Sequence, residues 1–122
     1  MFLFFSESEA GQAAGRRHLQ NILGQPDRGP AVSQGSFTRQ WWAISKFDKF
    51  GVRSRLGELR LPVLVANGCH DRMIPNYESY VISQEAPNAK LILYPDAGHG
   101  FLVQYKEQFA SDVKAFLDET PH

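Results

Sequence analysis

Leu61-Pro62-Val63-Leu64-Val65-Ala66-Asn67-Gly68-Cys69-His70-Asp71 is the stretch whose reading decides the fold. Val63 to Ala66 is a short, β-branched, apolar run, the pattern of a strand buried on both faces. Pro62 fits at its entrance, where a missing N–H removes no central ladder bond. Asn67-Gly68 ends the run, since glycine supplies the open backbone of a turn. Asp71 follows just past the strand's C-terminal end, where ligands and reactive groups collect in open α/β sheets.

A second unit of the same kind comes later in the chain. Lys90-Leu91-Ile92-Leu93-Tyr94 is an apolar strand, and Pro95-Asp96-Ala97-Gly98-His99-Gly100 is its exit turn. Between the two units Asn76 is expected to cap a helix over Tyr77, Tyr80, Val81 and Gln84, stopped at Ala86 by Pro87. Strand, helix, strand is a right-handed crossover that sets the strands parallel, so the chain is of α/β class. Both exits then lie on one edge of the sheet, and an Asp71 carboxylate can reach a His99 imidazole. The residues alone leave a second reading open, with Asp71 capping its own loop and His99 a turn residue between glycines.

The motifs Asn67-Gly68-x-x-Asp71-x-Met73-x-Pro75, Pro87-Asn88-Ala89 and Tyr94-Pro95-Asp96-Ala97-Gly98-His99-Gly100 resemble the C-terminal half of an α/β-hydrolase-fold enzyme. The resemblance is strongest from Leu59 to Leu117. In that family the triad runs serine, acid, histidine along the chain. It implies that Asp71 is the acid and His99 the base of a hydrolase that cleaves an ester- or amide-like bond through a serine acyl-enzyme. It implies a partial α/β-hydrolase fold, with residues 1–58 as a helical cap-like segment and residues 59–122 as the C-terminal part of the core. It implies no cofactor, and a small-molecule substrate of apolar character. No serine of the chain stands in a G-x-S-x-G elbow. The elbow and its oxyanion loop are therefore expected to lie before Met1, and the chain alone is expected to be inactive. The competing class is a non-catalytic binding module, or a fragment that another chain completes.

Three rivals to the Asp71–His99 pair come from neighbouring residues. Asp96 is a second acid, but a Pro-Asp-Ala-Gly turn commonly uses its Asp to bond its own backbone. Cys69 is a possible thiolate nucleophile with His99 as base, yet it stands two residues from the acid. His70, Asp71, Asp96 and His99 are metal-ligating in type but lack H-E-x-x-H or paired-cysteine spacing, so no metal is expected.

The 122 residues are 43% apolar and 21% charged, ordinary for a globular domain, and the formal net charge is zero. Zero net charge argues against nucleic acid as partner. Met1 to Phe5 is too short to span a membrane and lacks the basic start of a signal peptide. The single cysteine cannot form an internal disulfide, which places the chain by default in a reducing cytoplasm.

Upstream of the first strand, Met1 to Phe5 is β-prone. Ser6 and Glu9 have capping-box spacing and open a first helix that Gly24 and Pro26 end, with His18 on its solvated side. A second helix is expected from Ser36 to Asp48, with Phe37, Trp41, Ile44 and Phe47 on one face. That face either packs on the body or forms the wall of an apolar substrate site. Phe50 to Arg60 reads as a linker. The last helix carries Tyr105, Phe109, Val113, Phe116 and Leu117 as one stripe, with Thr120-Pro121 ending it. With one neighbour for the strand at Val63, the other edge is free, and self-association through it is expected.

Overall fold

The computed structural model describes residues 3–27 and 29–119. Its centre is the crossover unit read from the sequence. Strand β1 (Val63–Gly68) pairs in parallel with β2 (Ala89–Tyr94), in a register that sets Val63 opposite Ala89 and Gly68 opposite Tyr94. Helix α3 (Asn76–Glu85) connects them. The Val63 N–H donates to Asn88 O at 2.8 Å, so the ladder begins directly after Pro62, which has no N–H to offer. Among the described residues no strand pairs with the outer edge of β1.

The core lies at the exit end of β2. Tyr94, Ala97 and Phe101 are buried, and Tyr105 and Phe109 close over them. The Tyr94 ring stacks on Phe101 at 5.1 Å between centroids and meets Phe109 edge-on at 6.3 Å. Its hydroxyl donates to Asp112 at 2.6 Å. Burial first, then this bond, raises the Tyr94 phenol well above its ordinary range. The last helical segment is two pieces rather than one: α4 (Phe101–Gln104) and α5 (Lys106–Glu119). Tyr105 leaves helical backbone angles at the joint, which lets its ring lean on Tyr94 while its hydroxyl donates to Pro95 O at 2.6 Å. The expected stop at Thr120-Pro121 lies outside the described residues.

The N-terminal region corrects three expectations. Helix α1 (Glu9–Leu23) is capped by Ser8, whose Oγ accepts from the Gly11 N–H at 3.0 Å, and not by Ser6. Ser6 is buried instead, against a glycine whose Cβ would stand 2.0 Å from the Ser6 Oγ. Gly11 thus admits Ser6 under the helix and frees Ser8 for the cap. Leu3 to Phe5 forms a turn and no strand, and the Gly100 N–H donates to Phe4 O at 2.6 Å. His18 is half-buried beside the Phe5 ring rather than solvated.

Helix α2 (Gln34–Phe50) starts from a Ser33 cap, two residues earlier than expected, and a 3₁₀ helix at Arg53–Glu58 replaces the expected linker. Trp41 and Ile44 are 65% and 63% exposed, and Phe37 and Phe47 are exposed with them. The aromatic stripe is therefore helical as read, but its four side chains are mostly exposed, and Phe47 borders a groove shared with Val81 and Ile82 of α3. At α3 the cap position falls on Pro75; Asn76 is the first helical residue, and its amide donates back to Cys69 O at 3.1 Å. No helix among the described residues is long and apolar enough to cross a membrane.

Candidate active site

The two strand exits are sewn to each other by backbone bonds. The Cys69 N–H donates to Tyr94 O at 2.9 Å, and the His70 N–H to Ala97 O at 2.8 Å. This closeness depends on Gly68, because a Cβ there would stand 2.3 Å from Ala97 O and 2.4 Å from Gly98 O. The loop carrying His99 lies directly against the end of β1.

That contact brings Asp71 and His99 together, with Asp71 Oδ2 at 2.9 Å from His99 Nδ1. The Asp71 side chain is 2% exposed and the His99 ring 34%. The other carboxylate oxygen, Oδ1, accepts from the N–H groups of Met73 at 2.8 Å and Ile74 at 3.0 Å. The two readings of Asp71 are thus both true of its geometry: one oxygen turns the loop, and the other holds the ring. An ionised carboxylate can only accept, so with Asp71 in that form this contact calls for the proton on Nδ1 and leaves the Nε2 lone pair of an uncharged ring free. Among the described residues Nε2 makes no hydrogen bond. Phe4 stands edge-on to the imidazole at 5.5 Å, a wall that the sequence did not suggest.

The rivals fall elsewhere. Asp96 has a left-handed backbone at φ 49°, as its turn requires, but its carboxylate accepts from Ser8 Oγ at 2.6 Å rather than from its own backbone. The Ser8 bond, and then one from Ser6, hold the Asp96 carboxyl below its ordinary range. Cys69 is partly buried, and its sulfur bonds to nothing among the described residues. His70 is exposed, and His70, Asp71, Asp96 and His99 form no group able to hold a metal ion among the described residues.

Two cavities border Asp71. One, of about 430 Å³, lies among Phe5, Ser8, His70, Arg72 and Asp96. The other, of about 380 Å³, is an apolar groove along the outer edge of β1. Ile74, Ile82 and Phe101 flank it, and it reaches Asp71 and His99.

Parallel strands with an acid past the first exit and a histidine past the second, hydrogen-bonded across the sheet edge, define the class: an α/β fold with a carboxylate–imidazole pair at its strand exits. The α/β hydrolase fold family model matches residues 18–104, and the chain belongs to that family. An α/β hydrolase fold protein from Chitinophaga pinensis superposes with a TM-score of 0.86 at 34% identity, over 97% of this chain and 43% of that one. A pimeloyl-acyl-carrier-protein methyl ester esterase of Nitrosomonas europaea is 33% identical over 60 residues, 49% of this chain and 24% of the esterase. A 2-hydroxymuconate semialdehyde hydrolase of Pseudomonas putida is 39% identical over 56 residues, 46% of this chain and 20% of the hydrolase. The chain therefore spans only a quarter or less of these two curated relatives.

Proposed function

We propose that this chain supplies the acid and the base of a serine-type hydrolase relay, and that the nucleophile comes from outside its sequence. The observation that carries this reading is the 2.9 Å contact between a buried Asp71 and a partly exposed His99. In the relay, Nε2 takes the proton of an attacking hydroxyl while Asp71 stabilises the imidazolium that forms. It then returns the proton to the leaving group. The substrate is a small molecule with an ester- or amide-like bond, and the apolar groove that reaches His99 suits an apolar acyl or alkyl part. The esterase named among the relatives agrees with that class. No cofactor takes part in this chemistry.

Alone, the chain carries no G-x-S-x-G serine for His99 to activate, so simple esters are not turned over. The test is hydrolysis of nitrophenyl acetate and butyrate by the isolated chain. It is then repeated after adding the segment of the Chitinophaga protein that this chain leaves uncovered. The reading expects no saturable turnover alone, and turnover on mixing that His99→Ala removes. Saturable turnover by the isolated chain, lost in Cys69→Ala, makes the thiol the nucleophile instead. Mixed-chain turnover indifferent to His99→Ala defeats the base role.

The open edge of β1 supports a second part of the reading: the chain associates with itself through that edge. Among the described residues no strand pairs with that edge, and the groove beside it offers a place for a further strand.

A further inference from the structure

We infer that Asn67 is the positioning residue of the Asp71–His99 pair, setting the loop that aims the carboxylate; this rests on the relay reading given above. Asn67 is 4% exposed, and every polar atom of its side chain is engaged. Its Nδ2 donates to Ile74 O at 2.9 Å and to Ser79 Oγ at 3.1 Å, and its Oδ1 accepts from the Gly68 N–H at 2.7 Å. The chain of bonds from there to the imidazole is short. Ile74, held by its carbonyl, donates its own N–H to Asp71 Oδ1, and the opposite oxygen of that carboxylate meets His99.

Only one amide orientation satisfies these partners. Flipped, Oδ1 would face the Ile74 carbonyl, two acceptors together, and Nδ2 would face the Gly68 N–H, two donors together. The same inventory excludes the obvious replacements. Aspartate has no donor when ionised, serine has one, and glutamine adds a methylene in a buried site. One planar group with two donors and an acceptor therefore ties the end of β1 to α3 through Ser79 and to the acid loop through Ile74.

A merely structural role predicts lost stability alone, whereas a positioning role predicts a change at the imidazole. The whole chain is labelled with ¹⁵N-histidine, and the His99 ring is assigned by its loss in His99→Gln. Its tautomer is then read in Asn67→Ala, Asn67→Asp and Ser79→Ala, each shown folded by circular dichroism. The expected result is the Nδ1–H tautomer with a downfield Nδ1 proton in the unsubstituted chain. Asn67→Ala loses that proton, the near-isosteric Asn67→Asp does not restore it, and Ser79→Ala shifts the tautomer ratio the same way by a smaller factor. An Nδ1–H tautomer unchanged in the folded Asn67 variants overturns the inference and leaves the relay reading intact. If both Asn67 variants unfold, an unchanged ring in Ser79→Ala overturns it. An Nε2–H ring in the unsubstituted chain instead removes the relay reading, and this inference with it.

Discussion

Replacing Gly68 with alanine is expected to open the seam between the two strand exits. The added Cβ would lie 2.3 Å from Ala97 O and 2.4 Å from Gly98 O, and both are backbone atoms that no rotamer change can remove. Reaching ordinary carbon–oxygen contact requires a separation larger by about 1 Å. The 95–100 loop must therefore move away from β1. Overpacking of this kind costs about 1–3 kcal/mol. Loss of the His70–Ala97 backbone bond, 2.8 Å long in the native loop, adds about 1 kcal/mol. The stiffer unfolded chain returns about 0.4–1 kcal/mol. The net destabilisation is about 1–3.6 kcal/mol, which for a urea slope of about 1–3 kcal/mol per molar lowers the midpoint by roughly 1 M. Gly57→Ala is the matched control, because its nearest atom to a new Cβ is Glu85 O at 4.0 Å. If the Gly68→Ala midpoint stayed with that of Gly57→Ala, the close-approach argument would be refuted.

Tyr94→Phe keeps the stacked core but removes the 2.6 Å bond to Asp112, and urea unfolding should show a loss of about 1–2 kcal/mol. Asp96 titrates below its ordinary range in the folded state, so its bond to Ser8 adds stability above the unfolded carboxylate value near ~4. That stability fades as pH falls through the depressed folded value. Asp96→Asn should therefore flatten the acid side of a stability–pH curve, and an unchanged acid limb would remove the role assigned to that bond. Sedimentation should find a dimer or larger species that dissociates on dilution, through the open edge of β1; a compact monomer at high concentration would count against it.

The Asp71–His99 contact was legible because each member sits at a local landmark, the end of an apolar strand, and parallel topology does the rest. What stayed hidden depends on contacts distant in the chain. Asn67 read as a turn residue, because its partner Ser79 lies on the far side of a loop and in the next helix. Ser6 and Ser8 compete for the same cap, and only the space under Gly11 decides between them. Phe4 looked like part of a strand, yet its carbonyl is taken by Gly100, which fixes it over the His99 loop. The stripe of α2 followed from periodicity, which states that a face is apolar and not what covers it. Tyr105 broke the last helix because a ring that reaches Tyr94 and Pro95 outweighs the continuity of the pattern.

The relay stands or falls on the proton between Asp71 and His99. Long-range ¹H–¹⁵N spectra of the imidazole, in the native chain and in Asp71→Asn, observe it directly. The expected native signal is an Nδ1–H ring with a strongly downfield proton, held at the 2.9 Å contact. In Asp71→Asn that signal should vanish and the ring should move toward the Nε2–H tautomer, with circular dichroism unchanged. A native ring already protonated on Nε2, or one whose tautomer ignores Asp71→Asn, would contradict the assignment of acid and base.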